Sequence, residues 1–107
     1  MPTGFLGMPL SLDGAALRLK DDDDVAVALR PLEAGVPVRF PDAEIVPLVT
    51  IPTGHKIALR AVAAGTLVHK YGQAIGRASA PIAPGEHVHV HNVEGVRGRG
   101  DLVEAPR

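Results

Sequence analysis

Glu86-His87-Val88-His89-Val90-His91-Asn92 holds three of the chain's five histidines. Imidazole and valine alternate through it, and in an extended strand successive side chains point to opposite faces. His87, His89 and His91 therefore line one face, with Val88 and Val90 on the other, turned toward a core. Neutral imidazole ligates metals, and a pKa near neutrality also suits it to move protons. The stretch reads as a strand with a chemical face, which the rest of the chain has to hold and present. A solvated face without a role is the plain alternative.

The elements available to hold it are short. The chain has 107 residues, enough for one small domain with a modest core. Hydrophobic residues make up 46%, which excludes compositional disorder. Phe5, Phe40 and Tyr71 are its only aromatics, so the core must be aliphatic. A net charge of -1 and so few aromatics exclude a basic nucleic-acid surface, a base-stacking platform and an anionic-membrane patch. The absence of cysteine excludes disulfides and thiolate metal sites and fits a reducing, cytoplasmic setting. No apolar run reaches membrane-spanning length. Met1 to Leu12 has no basic residue ahead of its apolar part, which argues against a secretory signal.

Taken in order, residues 1–20 read as an N-terminal arm, loosely structured over Met1 to Leu17, either frayed or docked on a partner. Asp21-Asp22-Asp23-Asp24 predicts a solvated turn, because adjacent carboxylates repel; it lacks the spaced ligands and glycine of a calcium loop. Val25 to Leu29 predicts a strand. Pro31 and Pro37 exclude a helix interior between them. Phe40 to Pro52 reads as a connection plus strand, with Ile45-Val46 and Leu48-Val49-Thr50-Ile51 broken by Pro47, which suggests an edge or a bulge. Ile57 to Val62 is the best candidate for a short helical turn. From Glu94 onward, glycine and arginine predict a linker or tail, in which Arg99-Gly100-Asp101 is read as chance.

One pattern recurs. Leu32-Glu33-Ala34-Gly35-Val36-Pro37-Val38, Val62-Ala63-Ala64-Gly65-Thr66-Leu67-Val68 and Ile82-Ala83-Pro84-Gly85-Glu86-His87-Val88 share apolar-x-x-Gly-x-x-Val. The physical content is a strand end, a glycine turn and a new strand. Uneven spacing argues against a solenoid and for a small, much-folded β unit with repeated corners.

These corners resemble the SAF domain, a β-clip module shared by antifreeze-like and pilus or flagellar assembly proteins. A narrower resemblance runs from Asp23 to Asn92. Asp24 to Leu29, Gly54-His55-Lys56-Ile57-Ala58, Lys70-Tyr71-Gly72, Ile75-Gly76-Arg77-Ala78 and Gly85 to Asn92 are similar, in order, to the N-terminal domain or small subunit of the altronate and galactarate dehydratases, the UxaA family. Sulfolactate sulfo-lyase small subunits look similar. The resemblance implies a mainly β, SAF-type β-clip over residues 21–93, a small single domain with short helical turns, followed by a tail over 94–107. It also implies a hydro-lyase acting on sugar acids, with Fe2+ or another divalent metal, and a much larger catalytic subunit or domain. Residues 1–20 and Phe40 to Pro47 fit the family pattern less well.

Such chemistry removes a proton beside a carboxylate and expels the neighbouring hydroxyl. A divalent metal stabilises the developing charge, and a positioned acid and base handle the protons. Side chains two apart on a strand lie roughly 6.5 Å apart, within reach of one metal, whereas those four apart lie roughly 13 Å apart. The metal pair is then His87 with His89, or His89 with His91, unless the strand bends. His55, in the matched Gly54-His55-Lys56 turn, is the candidate third group, which a partner domain could equally supply. The expected catalytic set is His87, His89 and His55, with His87 and His89 as metal ligands or as acid, base or hydrogen-bond donors. Lys56, Lys70, Tyr71 and Asn92 are expected at the substrate, while Glu86 and Asn92 could instead orient imidazoles or cap turns. His69 is read as surface.

Three other readings compete. One is the small subunit of a sulfolactate sulfo-lyase, another a non-enzymatic SAF module that binds a carbohydrate or an assembly partner. The third is a metal-binding adaptor that uses the histidine strand only to dimerise, a homo-oligomer. No phosphate loop or Gly-x-Ser-x-Gly nucleophile turn is present.

Overall fold

Glycine corners define the architecture. A computed structural model describes residues 10–20 and 22–95. At each expected corner the fourth turn residue donates its N–H to the first residue's carbonyl: Val36 to Glu33 at 3.1 Å, Thr66 to Ala63 at 3.1 Å, Glu86 to Ala83 at 3.0 Å. The third residue is glycine with φ of +83° (Gly35), +88° (Gly65) and +86° (Gly85). That is the type II turn, which needs a left-handed third residue. A fourth copy falls outside the valine-ended pattern: His55 donates to Pro52 at 3.0 Å around Gly54, φ +85°. It ends on Ile57 where the other three end on valine.

The corners are joined in pairs. Leu32 and Ile51 exchange backbone hydrogen bonds, as do Val62 and Ile82. A unit running from Val25 through Ile51 is thus followed by a second, built alike, from Lys56 through Ile82. Each has its own core. Leu32, Val38, Phe40, Ile45, Ile51 and Ile57 lie in the first. Val62, Val68, Ile75, Ile82 and Val88 lie in the second, at matching positions.

The strands are β1 (Ala16–Leu17), β2 (Val25–Ala28), β3 (Val38–Phe40), β4 (Ala43–Ile45), β5 (Lys56–Ala58), β6 (Leu67–Lys70), β7 (Gln73–Ala78), β8 (His87–Val88) and β9 (Val93–Glu94). An antiparallel sheet runs β1-β2-β5-β8; β3 and β4 form a hairpin, and β6-β7-β9 form a third sheet. β5 is the seam: Ile57 enters the first core and its neighbour Ala58 the second. The expected aliphatic, mainly β single domain is observed.

Four expectations are corrected. No helical turn forms among the described residues. Ile57 to Val62 instead begins as β5, because a segment this short cannot hold a helix alone and finds strand partners on both sides. Leu10 to Leu17, read as loose arm, forms β1 and a bridge from Leu10 to Leu17, with Ala15 and Ala16 buried. Leu48-Val49-Thr50 is not a strand; only Ile51 pairs.

The acidic run is the fourth correction. Asp23 is wholly buried. Its carboxylate accepts backbone N–H groups from Leu19 at 3.3 Å, Lys20 at 3.2 Å, Tyr71 at 2.9 Å and Gly72 at 2.8 Å. Repulsion within the run loses to these donors, which replace the water a buried carboxylate must give up. Asp24 accepts the backbone N–H and ring Nδ1 of His69 at 2.8 and 3.1 Å. Asp21, the segment 1–9, the segment 96–107 and with it the Arg99-Gly100-Asp101 triplet lie outside the described residues.

The Gly85 corner packs against the first unit. Leu48 donates its N–H to the Gly85 carbonyl at 2.9 Å, and a Cβ on Gly85 would strike the Val46 carbonyl oxygen. A Cβ on Gly65 would meet nothing within 4 Å. Gly65→Ala should therefore lose only the left-handed penalty, about 1–2 kcal/mol, and Gly85→Ala more. Urea denaturation of both variants checks this; equal losses would contradict the close approach.

Candidate functional site

β5 and β8 pair antiparallel with Lys56 opposite Val88 and Ile57 opposite His87. Ile57 and Val88 are fully buried, on opposite faces of the pair, and fix this register, which puts His87 on the face of Ile57 and Lys56 on that of Val88. His55 enters β5 from the Pro52–His55 turn, so its ring lands among those of β8. His55 Nδ1 and His87 Nε2 are 2.8 Å apart. The His55 and His89 rings stack at 4.1 Å and 14°.

After Val88 the chain stops being a strand. Asn92, 3% exposed, accepts the His89 N–H on Oδ1 at 3.0 Å and donates from Nδ2 to the His87 carbonyl at 2.9 Å. Its amide thus replaces a neighbouring strand, and the Asn92 and Val93 N–H groups both turn back to the His89 carbonyl at 3.1 Å. The expected alternation therefore holds for His87 and Val88 and fails beyond. Val90 is 81% exposed rather than in the core. The same bend returns His91 to 5.2 Å from the His87 ring, where an extended strand would hold the two roughly 13 Å apart. Glu86 caps its own corner, accepting the Ala83 N–H at 2.8 Å.

His55, His87 and His89 each offer one nitrogen within 4.8 Å of the others. His89 Nδ1 is buried without a hydrogen-bond partner. Loss of water, then the neighbouring His55, His91, His89 and Lys56, hold the His87 pKa below its ordinary value. Desolvation, then His55, Lys56 and His91, do the same for His89. Three imidazoles close together, two of them held toward the neutral form and one with an orphaned nitrogen, fit a divalent cation.

Beside them lies an open groove of about 250 Å³ with Lys56, Lys70 and His89 on its walls. It adjoins a second hollow of about 420 Å³ that shares Lys70 and Ile75 and reaches Tyr71. Burial first, then Lys70, lowers the Lys56 pKa; burial first, then Asp23, raises that of Tyr71. The structure thus brings His55, His87 and His89 together, and His89 shares a groove with Lys56 and Lys70, the latter reaching the hollow that holds Tyr71. Asn92 is close by, but its amide is engaged with the backbone. His69 stays apart, tied to Asp24.

A family profile described as the altronate/galactarate dehydratase SAF domain matches residues 14–96. The chain belongs to this family. As an SAF domain, it is 46% identical over 70 residues to the altronate dehydratase of Escherichia coli (strain K12), a match covering 65% of this chain and 14% of that enzyme. It is 37% identical over 78 residues to the altronate dehydratase of Bacillus subtilis (strain 168), covering 73% of this chain and 16% of that one. A third relative is the (2R)-sulfolactate sulfo-lyase subunit alpha of Chromohalobacter salexigens, 54% identical over 44 residues, 41% of this chain and 47% of the subunit. The SAF domain therefore spans about one seventh of the dehydratases it matches. No helix among its described residues is long and apolar enough to cross a membrane.

The sequence pointed to Asn92 without showing what it does. Asparagine favours turns that hydrogen-bond its own neighbourhood, a signal hidden by the regular His-Val alternation before it. The Asp24–His69 pair left no local signal.

A histidine whose folded pKa lies below 6.5 binds its proton less readily than in the unfolded chain, so the unfolded state takes up more protons on acidification. The stability of the metal-free SAF domain should be full above about pH 6.5 and decline below it, through the folded pKa values. Urea midpoints measured between about pH 7 and 5 should fall with pH in the wild type and fall less steeply in His87→Ala. A flat or rising wild-type profile would contradict the lowered pKa values.

Proposed function

We propose that this SAF domain supplies three imidazoles and a lysine-lined groove to the active site of a metal-dependent hydro-lyase of the altronate/galactarate type, completed by a larger subunit or domain. The convergence of His55, His87 and His89 within 4.8 Å carries the reading, and the match to dehydratases several times longer supports a larger partner.

In this reading His55, His87 and His89 hold a divalent cation, Fe2+ by family likeness. When bound, that ion supplies Lewis acidity for charge developing on the substrate's carboxylate and hydroxyl oxygens. The domain's own residues do the rest of its share. Lys56 and Lys70, two ammonium groups facing one groove, receive the substrate carboxylate. Their mutual repulsion, which comes second to burial in lowering the Lys56 pKa, is relieved by an anion between them. Tyr71 borders the adjoining hollow. Asn92 positions rather than touches substrate, by fixing the backbone on both sides of Val88. His91, exposed and 5.2 Å from His87, is placed to exchange a proton with solvent.

A sulfo-lyase is the second reading. The 54% identity to a sulfolactate sulfo-lyase subunit alpha favours it, since the same groove would accept that substrate's carboxylate. The decisive experiment co-expresses the chain with a large catalytic subunit and screens altronate, galactarate and sulfolactate with added Fe2+. Dehydration of a sugar acid is expected, abolished by His87→Ala and by His89→Ala while the domain stays folded. Near-normal turnover in both variants would overturn the assignment, and turnover of sulfolactate alone would select the second reading.

A further inference from the structure

Tyr71 is the one non-glycine residue with positive φ among the described residues, at +57°. With Gly72, φ +79°, it forms the two-residue turn between β6 and β7, across which Lys70 pairs with Gln73. Two left-handed residues make this a type I′ turn, where Asn-Gly is the favoured pair and a bulky first residue is strained. The strain is held from below. Both turn N–H groups are bound by the buried Asp23 carboxylate, at 2.9 and 2.8 Å.

Such a conformation needs a reason in the side chain. The Lys70 ammonium lies over the Tyr71 ring, 5.0 Å from its centroid, a cation–π distance. Lys70 is also, with Ile75, a side chain shared by the two adjoining hollows, one of which His89 lines. We infer that Tyr71 is a positioning residue, kept in a strained turn because its ring seats the Lys70 ammonium at the groove, with Asp23 clamping the turn that carries it. The inference about what Lys70 then binds rests on the groove assignment above.

A consequence separates this from ordinary packing. Tyr71→Asn installs the favoured turn pair and removes the ring, so it should make the full chain more stable and its groove less competent. The test follows three readouts in wild type, Tyr71→Asn and Tyr71→Phe: the thermal midpoint, the ring-current shift of the Lys70 ε-methylene protons, and the affinity for galactarate. Tyr71→Asn should raise the midpoint by several degrees, abolish the upfield shift and weaken galactarate binding about two- to fivefold, the equivalent of an exposed cation–π contact. Tyr71→Phe should keep the wild-type shift and affinity. A lower midpoint in Tyr71→Asn would make Tyr71 a packing residue and overturn the inference, as would an unchanged Lys70 shift. A wild-type chain that ignores galactarate would instead remove the groove assignment, and the midpoint and the Lys70 shift would still decide the role of Tyr71.

Discussion

The pairing of β5 with β8 is the constraint on which the site depends. Lys56 faces Val88 and Ile57 faces His87, and a slip of one residue would move every side chain of the slipped strand to the other face. Burying Ile57 and Val88 contributes about 1.5–3 kcal/mol each, which exceeds the mutual aversion of neighbouring imidazoles that can simply stay neutral. The core therefore dictates the register, and the register forces His55 against His87 and His89. The lowered pKa values of His87 and His89 follow from lost water first and from that forced proximity second.

Two polar anchors finish what the register begins. The Asn92 amide ends β8 by occupying backbone groups that another strand would otherwise take, which bends the chain and folds His91 back. The Asp23 carboxylate gathers four N–H groups from two distant segments and so fixes the β6–β7 turn beside the groove. Both side chains are buried, and both act on backbone rather than on a ligand. The duplicated architecture also explains where the site lies. The two units repeat the same corners and core positions but not the same surface: Lys56 stands in the first corner pair where His87 stands in the second, and His55 where Glu86 stands. The histidines meet only at the edge where the second unit's last strand pairs with the seam.

Much of this was written locally. Apolar-x-x-Gly-x-x-Val specifies a type II turn wherever it occurs, so the corners, the β class and the aliphatic core could be read directly, as could the nearness of His87 and His89. The misreadings share a cause, which is that a distant partner overrode the local pattern. Asp23 reads as solvated because its four donors are far off in sequence or masked by its neighbours' charge. Ile57 to Val62 reads as helical because the strands on either side of it are not adjacent in the chain. His91 reads as remote from His87 because the alternation hides the asparagine that bends it. His55 entered the site through family likeness, while its contact with His87 depends on a cross-strand pairing no local pattern encodes.

The most direct test of the clustered imidazoles is a ¹H–¹⁵N long-range correlation spectrum of the histidine rings, recorded while the metal-free chain is titrated with Zn²⁺. The rings of His55, His87 and His89 should shift together and saturate together, with His69 unmoved beside Asp24. Independent shifts, or a response centred on His69, would contradict the account.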